Sequence, residues 1–174
     1  MTAFVVLIAL VAVERLVELV VSTRNARWAF DRGAVESGAG HYPVMVVLHT
    51  GLLVGAILEV ALGNRPFVPG LGWPMLVLVI ASQALRWWCI SVLGKQWNTR
   101  VLVIPGAGRV VGGPYRLFRH PNYVAVVVEG AALPLVHTAW VTAVCFTVLN
   151  AVLLSVRIST EERALAALDG PAPA

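Results

Sequence analysis

Charge is what this chain has least of. Only 13% of its 174 residues are charged, and 59% are hydrophobic; a soluble domain carries about 25% charged residues. That excludes an ordinary soluble protein and leaves an integral membrane protein, for which one domain over residues 1–174 suffices. Lysine is nearly missing, with Lys95 alone against twelve arginines. With so much Ala, Val and Gly, this composition fits a bacterial source. Two cysteines, Cys89 and Cys145, each fall inside an apolar run. With no Cys-x-x-Cys and no His/Cys cluster at metal spacing, neither a zinc site nor any other metal site is expected, and both read as small buried hydrophobes. A basic leader is missing too, since the first cation is Arg15, so the first apolar run reads as a retained span. The net charge of +4 does not imply nucleic acid, because the basic residues are scattered at the ends of apolar runs.

What is present is a set of long apolar stretches. A membrane helix needs about 20 mostly apolar residues. Five candidates run from Ala3 to about Val21, His41 to about Leu62, Trp73 to about Leu93, Tyr123 to about His137, and Val141 to about Val156. The expected fold is therefore an all-α integral membrane protein with five transmembrane helices. The fourth is short and interrupted by Pro134, so it should form a hairpin with the fifth. Several polar groups fall inside the spans: Glu14, Arg15, Glu18, His49, Gln83, Arg86 and Glu129. At that depth a charge is costly unless it is paired or faces a cavity. Glu14 and Glu18 share a helix face; they either reach interfacial water or belong to a site. His49 reads as a packing residue, Glu59 as interfacial. The Ala/Pro/Gly tail after Leu165 reads as disordered.

Loops one and three carry nearly all the loop arginines. By the positive-inside rule these loops and the C-terminus are cytoplasmic, and the N-terminus lies outside, in a bacterial plasma membrane. The third loop, Gly94 to Asn122, is the longest connection, and its Pro105 and repeated glycines forbid a continuous helix. Loops of this length are usually functional.

Chemistry is concentrated in Gly113-Pro114-Tyr115-Arg116-Leu117-Phe118-Arg119-His120-Pro121-Asn122-Tyr123. A second polar stretch, Arg157-Ile158-Ser159-Thr160-Glu161-Glu162, closes the fifth span. Hairpin geometry brings the start of the fourth span to the end of the fifth. Arg157 and Glu161 are four apart and share a face, with Glu162 adjacent. The resulting pocket offers cations, carboxylates, an amide and aromatic rings on the cytoplasmic side, open to lipid. It suits a ligand with an amino-acid moiety and an aromatic base, and a second, greasy substrate arriving from the bilayer. Each residue alone could be an interfacial anchor or a solvated helix end; the joint pattern is harder to dismiss.

Gly-Pro-Tyr-x-x-x-Arg-His-Pro-Asn-Tyr, a hairpin, then Arg-Ile-x-x-Glu-Glu-x-x-Leu resembles the isoprenylcysteine carboxyl methyltransferase family, over a core of about Lys95 to Leu165. Arg24-Asn25-x-x-Trp28, Gly33-Ala34-x-Glu36, His41-Tyr42-Pro43, Trp97-Asn98-x-Arg100, Glu129 and Leu149-Asn150-Ala151 resemble a bacterial branch of it, whose members accompany type III polyketide synthases and methylate alkylpyrones. The resemblance implies S-adenosylmethionine as cofactor, contacted by Tyr115, Arg119, His120, Pro121 and Tyr123, and held by Glu161 or Glu162. It implies that Arg157, in a pairing with Glu162 that leaves it partly charged, orients the acidic oxygen of a lipophilic acceptor. One departure is Ala107 to Gly112, where the family often carries a histidine. No Gly-x-Gly-x-x-Gly follows a strand, so the soluble methyltransferase fold is not expected. Rival readings are an NADPH-dependent membrane reductase of the sterol type, and a non-enzymatic scaffold or small transporter. The Arg-x-x-x-Glu-Glu ending favours the methyltransferase, and the lack of an internal repeat disfavours the transporter.

Overall fold

The computed structural model describes residues 1–108 and 110–166. Arg109 and the tail, residues 167–174, lie outside the described residues. Five helices follow one another: α1 Thr2–Phe30, α2 His41–Leu62, α3 Pro69–Leu93, α4 Pro121–Leu135 and α5 Trp140–Ala166. Among the described residues three of them, α2, α3 and α5, are long and apolar enough to cross a membrane. The other two expected spans differ for separate reasons. α1 carries Glu14, Arg15 and Glu18 in its apolar stretch, and α4 has only 15 residues.

The expectation of a purely helical chain needs one amendment. Val35–Ser37 (β1) and Val101–Val103 (β2) pair antiparallel, with Val35 opposite Val103 and Ser37 opposite Val101. The loops after α1 and α3 therefore meet at one end of the bundle. Val101 and Val103 point inward, as alternation along a strand requires.

α3 packs on α4, α4 on α5, and α5 on α2. Close approach of α4 to α5 depends on Gly130, where a Cβ would overlap the ring of Phe146. The hairpin turn contains Thr138 in a left-handed conformation, its hydroxyl donating to the Pro66 carbonyl at 2.8 Å. Glu59 is more than interfacial. Its carboxylate accepts from the Val141 and Thr142 amides at 3.1 and 2.7 Å, capping the first turn of α5. Free amides and the dipole at that helix end favour such an anion.

α1 shows how the bundle is graded along its length. Its inward stripe runs Phe4, Ile8, Val11, Glu18, Ser22, Ala26, Ala29, at steps of three, four and seven. The apolar end packs with Ala56, Val60, Val79, Leu133 and Val136 in the main core. The charged middle is paired. Arg15 donates to Glu18 at 2.5 Å, to both oxygens of Glu129 at 3.0 and 2.8 Å, and to Gln83 at 2.9 Å. Arg86 donates to Glu129 and lies 3.4 Å from Glu18. Glu14 accepts from Gln83 and from the Trp87 indole. Of the two sequence readings for Glu14 and Glu18, interfacial water or part of a site, the structure does not support simple exposure: they join a network that ties α1 to α3 and α4.

Candidate functional site

Two cavities adjoin at the end of the bundle that carries the ribbon. One, of about 180 Å³, is lined by Lys95, Arg100, Tyr115, Arg119, His120 and Glu161, among others. The other, of about 160 Å³, lies between the helices and is walled largely by apolar side chains such as Val46, Leu53, Val126, Leu153 and Leu154. Trp97, Asn98, Asn122, Tyr123 and Arg157 line both.

Local sequence sets the geometry. Gly113 adopts a positive φ of 53°, and a Cβ there would come within 2.7 Å of Val92. The one-turn 3-10 helix Gly113–Arg116 follows and turns Tyr115 toward the first cavity. Burial pushes the Tyr115 phenol well above the ordinary tyrosine range, so it stays a neutral hydroxyl. Pro121 opens α4 at its first position, where a missing amide costs nothing. His120 precedes it and stacks on Tyr123 one turn later, with ring centroids 5.4 Å apart. On α5 the buried stripe Ala143, Phe146, Asn150, Leu154, Arg157 faces inward.

Arg157 is 8% exposed. Its Nε donates to the Tyr123 hydroxyl at 3.0 Å, one Nη lies 3.1 Å from the Met45 sulfur, and the other donates to the Thr99 carbonyl. The Tyr123 hydroxyl in turn donates to Glu161. No carboxylate among the described residues forms an ion pair with Arg157. The expected Arg157–Glu162 pairing is therefore not formed. Glu162 lies five residues on, well round the helix from Arg157. It faces Arg119 at 3.4 Å and His120 at 3.5 Å.

The carbonyl that receives Arg157 is itself held. Ser22 bonds Asn98 at 2.9 Å and the Thr99 hydroxyl at 2.7 Å, Asn98 donates back to the Ser22 carbonyl at 2.9 Å, and Asn25 donates to the Trp97 carbonyl at 2.8 Å. Segment 97–99 is thereby pinned to α1.

Of the sequence-predicted site residues, Tyr115, Arg119, His120, Tyr123, Glu161 and Arg157 line the first cavity. Pro121 and Glu162 do not; the first is buried in the helix start, and the second stands behind Arg119 and His120. Ala107, Gly108 and Val110 also border the first cavity, so the segment without the histidine still forms part of its wall. Thr99, Met45, His49 and Asn150 were not foreseen as site residues. Only the Trp97-Asn98 motif and the Leu149-Asn150-Ala151 match pointed toward any of them.

A family model described as isoprenylcysteine carboxyl methyltransferase (ICMT) family matches residues 75–167. The chain belongs to this family. Members of the ICMT family are membrane methyltransferases, and the matched region takes in most of α3, the third loop, α4 and α5. A Bacillus subtilis (strain 168) protein named "Uncharacterized protein YpbQ" is 41% identical over 163 residues, covering 93% of this chain and 96% of its own. A Haemophilus influenzae protein named "Uncharacterized protein" is 26% identical over 157 residues, covering 88% of this chain and 90% of its own. Each covers too much of this chain to be confined to the region the ICMT family model matches.

The donor set suits the S-adenosylmethionine that the ICMT family implies. Lys95, Arg100 and Arg119 can meet its carboxylate, Glu161 its ammonium, and the stacked His120–Tyr123 rings its base. The Asn122 side-chain oxygen, at the junction of the cavities, is buried without a partner among the described residues, as a ligand-facing group would be.

Proposed function

We propose that this chain transfers a methyl group from S-adenosylmethionine to an acidic oxygen of a lipophilic acceptor, a carboxylate or the enol of a hydroxypyrone. The observation that carries this reading is Arg157: a buried guanidinium with no carboxylate partner among the described residues, at the seam between a polar cavity and an apolar one. A buried charge needs a partner. An anionic acceptor oxygen supplies it.

When bound, S-adenosylmethionine supplies an activated methyl on a sulfonium; the acceptor's oxygen–carbon bond forms as the sulfur–carbon bond breaks, and the neutral thioether leaves. The acceptor oxygen is already ionised near neutral pH, so no residue need act as a strong base. Arg157 orients it, Tyr123 keeps Glu161 from neutralising Arg157, and the apolar walls exclude water. Alignment of this kind is worth about 7–11 kcal/mol. Glu162 acts through Arg119 and His120. On this reading the site opens on the cytoplasmic face of a bacterial plasma membrane, and the acceptor enters from the bilayer. A long-chain alkylpyrone from a type III polyketide synthase is the favoured acceptor. The ICMT family membership does not favour the reductase alternative.

The test is to incubate membranes containing the chain with methyl-labelled S-adenosylmethionine and candidate lipids, and to identify the product by mass spectrometry. Label on an oxygen of a lipid acid or enol is expected, and none with Arg157→Ala. Tight NADPH binding without binding of S-adenosylmethionine would overturn the reading.

A further inference from the structure

The inter-helix cavity is not uniformly apolar. Asn150 lines it from α5, is 2% exposed, and its side-chain carbonyl has no hydrogen-bond partner among the described residues. An unmade hydrogen bond at that depth is a standing cost. His49 lines the same cavity from α2. Its Nδ1 lies 2.9 Å from the Met45 carbonyl. A carbonyl can only accept, so Nδ1 carries the proton and Nε2 of the neutral ring is an acceptor. The two residues belong together. The His49 ring stands edge-on to Phe146, with centroids 5.3 Å apart, and Phe146 is one turn before Asn150 on the inward stripe. Arg15, Glu18 and Arg86 also line the cavity, but they are engaged with one another and with Glu129.

Asn150 and Arg157 share the stripe, two turns apart, which separates their backbones by about 10 Å along the axis. We infer that Asn150 and His49 form a second polar subsite, and that the acceptor is a lipid acid or enol with a hydroxyl part-way along its chain. A hydroxyl donates to the unpaired Asn150 side-chain carbonyl or to His49 Nε2, and its oxygen can accept from the Asn150 NH2 group. A ketone can only accept, and a methylene does neither. The inference rests on Arg157 as the anchor of the acidic oxygen, and it deepens that reading by naming what the acceptor carries beyond its head.

The experiment measures binding of stearic acid and its mid-chain hydroxy and oxo derivatives to the full chain in phospholipid nanodiscs. The hydroxy acid is expected to bind about tenfold tighter than stearic acid, with the oxo acid between. Asn150→Leu should bring the three within about twofold while S-adenosylmethionine affinity is unchanged. His49→Phe reads the same subsite from α2 should Asn150→Leu not fold. Equal binding of the three acids by the unaltered chain, or a preference that survives both substitutions, overturns the inference. Arg157→Ala should weaken all three alike. If it does not, the anchor reading fails, whereas the hydroxyl preference is judged from the other variants.

Discussion

The Tyr123 hydroxyl stands between Arg157 and Glu161, accepting from the guanidinium at 3.0 Å and donating to the carboxylate. A direct ion pair would silence the cation; a phenol in between holds both groups and leaves their charges available. Tyr123→Phe should therefore raise the KM for the acceptor about tenfold, one lost hydrogen bond to a charged group, with the chain still inserted. Steady-state methyl transfer against acceptor concentration measures it.

Arg157→Ala should cost far more. Removing the cation leaves an acceptor anion buried without a partner, a loss of about 2–5 kcal/mol, read as a fall in kcat/KM of two orders of magnitude or more. Glu162→Ala should also lose methyl transfer while inserting normally, by freeing Arg119 and His120. Wild-type turnover in either variant would contradict the roles given to them.

His120→Ala should weaken S-adenosylmethionine binding, because the ring stacked on Tyr123 is lost from the cavity proposed to hold the cofactor. An aromatic pair is worth about 0.5–1.5 kcal/mol beyond its burial. Titration of the cofactor should show up to about a tenfold rise in Kd; unchanged affinity would make His120 a structural residue only.

Glu129 tests the bundle rather than the site. It is 5% exposed and receives both Arg15 and Arg86. Glu129→Gln leaves the buried Arg86 with Glu18 and the half-buried Arg15 with Glu18 and Glu14, and breaking a buried pair in this way costs about 3–5 kcal/mol. A lower melting temperature in detergent is expected, and an unchanged one would show that Glu14 and Glu18 suffice.

Much of this was readable from residue order. α2 and α3 are long apolar runs, and the motif pair at the start of α4 and the end of α5 names eight residues of the first cavity. The rest depends on distance. The partners of Glu14 and Glu18 lie on α3 and α4, so the sequence shows the charges but not their pairing. Strands of three residues, such as Val35–Ser37, are too short for alternation to show. The Arg157–Glu162 expectation failed because adjacency in sequence is not adjacency on a helix. His49 was read as packing and Asn150 only as part of a motif match, because each is an isolated polar residue in an apolar run and only packing sets them around one cavity.

The family match starts at residue 75, yet Ser22 and Met45 come before it. Ser22 holds the segment whose Thr99 carbonyl receives Arg157, and the Met45 sulfur lies against the same guanidinium. A chain cut at the family boundary would keep both motifs of the α4–α5 hairpin and lose two groups that hold Arg157, the residue on which the proposed methyl transfer depends. On the proposed function the first two helices therefore belong to the catalytic unit, and their sequence offers a way to tell apart acceptors among chains that share the same C-terminal motifs.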